Sequence, residues 1–471
     1  MAQRRSAIFL LMIGLSLLNI SCQSRSVSDR SSIPKSARSE MAGKISRGEE
    51  ILLGSNPSTQ KQAAAVAYSN GNYEQAVSMW ETTLEQQRND PETLIYLNNA
   101  RIGEDPAYSI AVPVPADAEI NVAQEILRGV GQAQFQINST GGIDGKPIEL
   151  IIANDRNNPE VAQKLAQEFS QNTDILGVVG HFSSNVTLEA ARVYQAEELV
   201  VMSPTSSSVA LSNVGSYVFR TVSSDCMSGN ALATYVVDKM NFGKTAVLFN
   251  SASSYSTSMR DVFKTSIEEQ DGVVVAEFNF NQPDFNIVNA LAEMKQAKAE
   301  AIAFFPNSSG MNAVETLDKT FLMAQMNQGQ LPLFGGDSLY KPRTLQLGQE
   351  NVAEMVLVVP WDLKNADTGF GDLAINLWGG KVNWRSALAY DATMALATAI
   401  KENATREGVQ QALLNPDFSA EGASGEISFL PTGDRAGKVQ LVKIEAGDNS
   451  GFGYDFIPVA DFDYDLPEAC Q

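Results

Sequence analysis

From Tyr108 onward the chain alternates short apolar runs with amphipathic stretches of about ten to twenty residues, and this alternation limits the fold more than any other feature. The apolar runs are Ser109–Val114, Ile148–Ala153, Ile175–Gly180, Val200–Ser203, Ala246–Asn250, Val273–Phe278, Ala301–Pro306, Leu331–Gly335 and Met355–Val359. Among the stretches between them, Val122–Ile137, Pro159–Gln171, Val186–Glu197 and Phe285–Ala297 carry helical spacing. Runs rich in Val, Ile and Leu with helices between them predict parallel sheets covered on both faces. That many strands over about 350 residues exceed one comfortable sheet. The expected fold is therefore α/β, with two doubly wound parallel-sheet lobes. Such sheets bind ligands outside the carboxyl ends of their strands, where the strand order reverses.

Composition narrows the chemistry. With 34 Lys+Arg against 55 Asp+Glu the formal charge is −21, and a nucleic-acid partner is excluded because phosphate binding needs a basic surface. A single His removes His-based triads and two-His metal sites. The sequence shows no Ser/His/Asp arrangement, nucleotide loop or metal cluster, so neither enzymatic activity nor a cofactor is expected.

The N-terminus reads as an export signal over residues 1–21, with Arg4 and Arg5 leading an apolar run from Ala7 to Leu18. That run is shorter than the ~20 residues needed to span a bilayer. The sequence Asn19-Ile20-Ser21-Cys22 resembles a bacterial lipoprotein lipobox, which implies Cys22 as the lipidated first residue of an extracytoplasmic, membrane-anchored protein. Residues 22–55 follow as a polar tether. Residues 56–104 are helical, and Ala67-Tyr68-Ser69-Asn70-Gly71-Asn72-Tyr73 with Ala76, Trp80 and Leu84 resembles a tetratricopeptide repeat. One and a half repeats do not bury a solenoid core, so this segment is expected to pack on a neighbour. In an oxidising compartment Cys226 and Cys470 either form a disulfide, or stand as one buried thiol and one at a frayed terminus.

Three strand-to-helix junctions carry binding chemistry. Val178-Val179-Gly180-His181-Phe182-Ser183-Ser184 leads into a helix whose first N–H groups suit an anion, with Ser183 or Ser184 as its cap. Ser203-Pro204-Thr205-Ser206-Ser207-Ser208 gathers hydroxyls at a second strand end. Phe334-Gly335-Gly336-Asp337 brings a carboxylate to a third, where it suits an ammonium group or caps the next helix.

Together with Ile137–Ile148, Ala389-Tyr390-Asp391-Ala392 and Gly425–Arg435, these junctions resemble the type I periplasmic solute-binding proteins of the branched-chain amino acid uptake family, over about Tyr108 to Ile457. The resemblance implies an N-lobe of residues 105–225 with 361–430 and a C-lobe of residues 226–360 with 431–471. It places Ser184 at the ligand carboxylate, Thr205 and Ser207 on the loop that meets carboxylate and ammonium, and Asp337 opposite the ammonium. Tyr255 is implied as the second lobe's aromatic, and Trp361 as a further cleft residue. Pro113–Asn121, where the family frames the ligand side chain, has neither Gly nor an aromatic here, so the resemblance does not set side-chain preference.

The resulting expectation is a lipid-anchored receptor of an ABC importer that closes on an amino acid and is recognised by a permease. The competing expectation is a lipoprotein that activates a cell-wall synthase by protein contact, since such activators join the same two modules in the same order.

Overall fold

The computed structural model describes residues 41–471, except 42, 55, 308, 311, 363–368, 461, 463, 465, 466, 468, 469 and 471. The export signal and Cys22 lie outside the described residues. The strands are β1 (Ile45–Ser46), β2 (Tyr108–Val114), β3 (Ile148–Asn154), β4 (Ile175–Val179), β5 (Val201–Ser203), β6 (Val218–Arg220), β7 (Lys244–Phe249), β8 (Val273–Asn279), β9 (Ala301–Phe305), β10 (Leu333–Gly335), β11 (Val356–Val359), β12 (Ala420–Gly422), β13 (Gly425–Ile427), β14 (Gln440–Ala446) and β15 (Tyr454–Pro458). The helices are α1 (Thr59–Ser69), α2 (Tyr73–Gln86), α3 (Pro91–Ile102), α4 (Ile120–Ser139), α5 (Pro159–Gln171), α6 (Ser184–Ala196), α7 (Asp225–Thr234), α8 (Ser254–Glu269), α9 (Ile287–Gln296), α10 (Ala313–Asn327), α11 (Pro342–Gly348), α12 (Phe370–Trp378), α13 (Trp384–Glu402) and α14 (Arg406–Leu414).

Two sheets organise the molecule. The first runs β1-β3-β2-β4-β5-β6 and the second β15-β14-β11-β10-β9-β7-β8. Within each, the five strands formed by strand–helix alternation are parallel, and antiparallel strands attach at one edge: β1 on β3, and β14 then β15 on β11. The α/β class with two doubly wound lobes is thus what the chain forms. The order reverses between β2 and β4 in one sheet and between β7 and β9 in the other. Burial explains the runs: every residue of β3, β4 and β9 is buried, as expected for strands covered on both faces. Among the strands legible only in the structure, β1, β6 and β12 are two or three residues long, and the pair β14–β15 forms a half-exposed edge.

The chain crosses between the lobes after β6, after β11 and after β13. Returning to the first lobe, α13 packs closely on α4. Gly129 makes that approach: a side-chain carbon there would strike the Ser386 carbonyl, and would come 2.8 Å from the Tyr390 nitrogen. Cys226 on α7 and Cys470 are joined by a disulfide across 244 residues, which ties the last residues to the second lobe.

The helical segment α1–α3 sits on the first lobe. Trp80 is fully buried, with ring centroids 5.6 Å from Tyr68 and 5.8 Å from Tyr96. On α3, Asn99 donates to the Leu150 carbonyl at 2.8 Å, so the helix is hydrogen-bonded to β3. Glu92 is fully buried; its Oε1 accepts from the Leu52 nitrogen at 2.6 Å, and its Oε2 pairs with Lys61 Nζ at 2.8 Å. Lys61 also pairs with Asp90 at 2.7 Å. Removing one partner of a buried ion pair strands the rest in low dielectric. Lys61→Met is therefore expected to destabilise the fold by about 3–5 kcal/mol. Lys61→Met combined with Glu92→Gln should recover part of that loss. Urea denaturation measures both, and a Lys61→Met loss under about 1 kcal/mol would overturn the argument.

Candidate functional site

The carboxyl ends of both parallel sheets face one cleft of about 320 Å³, within the lower range for small-ligand sites. From the first lobe come Asn157, Phe182, Ser184 and Thr205; from the second come Tyr255, Asn307 and Asp337. Trp384 and Arg385, at the start of α13, also line it.

The anion side is the N-terminus of α6. Ser183 occupies its cap position, but the hydroxyl donates to Asn157 Oδ1 at 2.5 Å and makes no capping bond. The N–H groups of Ser184 and Asn185 therefore have no partner among the described residues. With the helix dipole behind them, they present a site for negative charge. Ser184 Oγ adds a hydroxyl, while accepting from the Ser208 nitrogen at 3.3 Å. The Thr205 hydroxyl donates to the Phe182 carbonyl at 2.7 Å, so its oxygen is left to accept.

Across the cleft, Asp337 begins a single 3-10 turn and does not cap it. Burial pushes its carboxyl above the usual range, and the Tyr255 hydroxyl beside it partly opposes this. Gly336 makes room for that tyrosine, because a side-chain carbon at Gly336 would collide with Tyr255 Oη. A helix N-terminus suited to negative charge and a buried carboxyl thus line one cleft.

Ser184, Thr205, Tyr255 and Asp337 come together here. Ser207 and Trp361 are not among the residues lining the cleft. Ser207 is buried behind it, its carbonyl accepting from the Asp225 nitrogen at 2.7 Å. Trp361 is 3% exposed and packs against Phe370, its ring filling a core rather than the site. Trp384 and Arg385 escaped the sequence reading, since a Trp-Arg pair opening a helix carries no motif. The lone His181 is fully buried, with Nδ1 at 2.7 Å from Asp155 and Nε2 at 3.2 Å from the Tyr194 hydroxyl.

Contacts between the lobes frame the cleft. Asn185 accepts from the Ser254 nitrogen at 2.8 Å and donates to the Ala252 carbonyl at 3.3 Å. Ser258 Oγ accepts from the Val209 nitrogen at 3.0 Å, and Glu119 accepts from the Gly310 nitrogen at 3.4 Å.

This architecture defines a two-lobed α/β protein with a cleft between its lobes. A family model for periplasmic binding proteins matches residues 114–449, and the chain belongs to that family. An amino acid binding protein of Pseudomonas aeruginosa is 26% identical over 190 residues, covering 40% of this chain and 50% of that protein. A Leu/Ile/Val-binding protein homolog of Brucella abortus is 27% identical over 196 residues, covering 41% and 52%. The chain thus matches about half the length of these curated relatives. A leucine binding protein structure from Thermotoga maritima superposes with a TM-score of 0.64 at 20% identity, over 74% of this chain and 97% of that one. A substrate-binding protein from Sphaerobacter thermophilus gives a TM-score of 0.65 at 19% identity, over 76% and 99%.

Behind the cleft, at the first crossing, Asp225 is 1% exposed, and the Ser258 and Ser207 hydroxyls lie beside its carboxylate and partly offset its burial. Burial pushes its carboxyl up to about 7, and the charge of Asp337 adds to this. Below the usual carboxyl range Asp225 is neutral in folded and unfolded chains alike. As pH rises from about 4 to about 7 only the unfolded chain ionises, so folding stability is lost across that window. Asp225→Asn should therefore raise the thermal midpoint at pH 8 well above its effect at pH 4. An equal shift at both values would overturn the assignment.

Proposed function

We propose that this chain is the extracytoplasmic receptor of an ABC importer, binding an amino acid between its two lobes and presenting the closed form to a permease. The observation that carries the reading is the opposition, across one cleft, of an uncapped helix N-terminus at Ser184 and the buried carboxylate of Asp337. A zwitterion needs donors at one end and a carboxylate at the other, because a buried charge must be matched. The names of the relatives from Pseudomonas and Brucella support an amino acid as ligand. In this reading the N-lobe comprises residues 105–225 with 361–430, and the C-lobe residues 226–360 with 431–471. Cys22 carries the lipid, and the helical segment 56–104, with its likeness to a tetratricopeptide repeat, braces the N-lobe. The protein acts by binding, not by catalysis. Hinge bending does the work: moving from about 1% to 99% closed takes roughly 5.5 kcal/mol of differential affinity.

Thermal shift with a panel of amino acids tests the ligand class. A ligand at 100 times its Kd should stabilise the protein by about 2.7 kcal/mol. No shift with any amino acid would overturn the reading and favour action by protein contact. Asp337→Ala should weaken binding by about 2–5 kcal/mol while leaving the unliganded thermal midpoint nearly unchanged, and unchanged calorimetric affinity would sink the role of Asp337. Because the carboxyl of Asp337 titrates above the usual range, affinity should fall on acidification earlier than for an exposed carboxylate. Asp337→Asn should remove that component of the pH dependence.

A further inference from the structure

Arg385 is the cleft residue that the zwitterion clamp leaves unused. It is 6% exposed and lines the cleft beside Asp337 and Tyr255. Its guanidinium lies over the Trp384 ring, 4.3 Å from the centroid, so its plane is held by stacking. Its Nε is buried without a hydrogen-bond partner. The carboxylates of Asp337, Glu125 and Glu119 act on its guanidinium through space, Asp337 most strongly, without a close ion pair. The neighbouring carboxylates are committed elsewhere. Glu125 accepts from the Ser386 hydroxyl at 2.5 Å and pairs with Arg128 at 2.9 Å. Glu119 accepts from the Gly310 nitrogen. Asp337 lies against Tyr255 and, in the proposed clamp, takes the ligand ammonium. The indole N–H of Trp384 is also buried and undonated.

A buried cation matched only through space still lacks the direct hydrogen bonds that offset its desolvation, and a ligand anion would supply them. A guanidinium is shaped to take a carboxylate through two parallel N–H···O bonds. The α-carboxylate already has the α6 N-terminus, so the anion that Arg385 fits is a different one. We propose that the ligand is an amino acid with an acidic side chain, whose second carboxylate is received by Arg385 on its Trp384 platform. This rests on the reading of the cleft as an amino acid site. It inverts the apolar side-chain preference suggested by the names of the leucine-binding relatives.

The test is calorimetric titration of the soluble chain with L-glutamate, L-aspartate, L-glutamine, L-asparagine and L-leucine. At least one acid should bind about 100-fold or more tightly than its own amide, because the amide leaves the buried guanidinium without a counter-charge. This comparison needs no variant. Arg385→Gln should then weaken the preferred acid by a similar factor while its amide binds as before, and Arg385→Lys should keep part of the preference. Leucine or an amide binding as tightly as the acids would overturn the proposal while leaving the amino-acid reading intact. Binding of none of the five would overturn both.

Discussion

The geometry of the cleft depends on Arg220, a cation 2% exposed at the end of the last strand of the first sheet. Its guanidinium pairs with Asp434 at 2.6 Å and donates to the Ser208 carbonyl at 2.7 Å. It also reaches the hydroxyls of Ser212 at 2.6 Å and Ser224 at 3.1 Å. Asp434 lies on the third crossing between the lobes, Ser224 on the first, and Ser208 ends the hydroxyl-rich loop that carries Thr205 into the cleft. One side chain therefore fixes two crossings and one wall of the site relative to each other. A buried ion pair is weak evidence for net stability, because desolvation offsets most of the attraction. Its effect is on position: each bond is short and directional, and leaving any partner unpaired would cost about 1–3 kcal/mol or more.

A second buried acid extends the same framework. Asp391 on α13 accepts from the Ala423 nitrogen at 2.6 Å and from Arg435 at 2.9 Å, and also bonds the Ser424 hydroxyl. Thr221, on the first crossing, donates to the Leu388 carbonyl on the same helix at 2.8 Å. The Asp of Ala389-Tyr390-Asp391-Ala392 thus anchors the helix that carries Trp384 and Arg385 into the cleft. A side chain that does not line the cleft determines where one that does can sit.

The parallel strands other than β6 were legible because strands inside a covered sheet are apolar throughout, and that constraint is local in sequence. Val218–Arg220 was not, since its Arg makes sense only beside Asp434, 214 residues away. That Ser184 and Asp337 line the cleft was legible because each sits at a strand end, where the fold rule already places ligands. Trp361 shows the limit of that rule. It also follows a strand, yet it packs in a core with Phe370, and only the path of the chain after β11 decides which way it faces. Arg385 is the converse: it opens a helix, follows no strand, and enters the cleft because α13 is pinned against α4 through Gly129. Residues delivered by helix packing are written in the contacts of that helix, not in the motif around them.

Charge shows why the local arrangement outweighs the overall balance. A chain with a formal charge of −21 repels anions at long range, but that field is screened over about 8 Å at physiological ionic strength. Within the cleft the relevant charges are few and buried, where effective dielectric is low and pairing is strong. Asp337 and Arg385 stand there with opposite signs and without pairing to each other, so together they present a dipole instead of a neutralised salt bridge. Had they been in contact, each would satisfy the other and the cleft would suit a neutral, apolar guest. The Tyr255 hydroxyl lies beside one and the Trp384 ring beneath the other, and the two charges act on each other through space across the cleft. In the proposed reading, that arrangement is what would let the cleft select what a zwitterion's side chain carries.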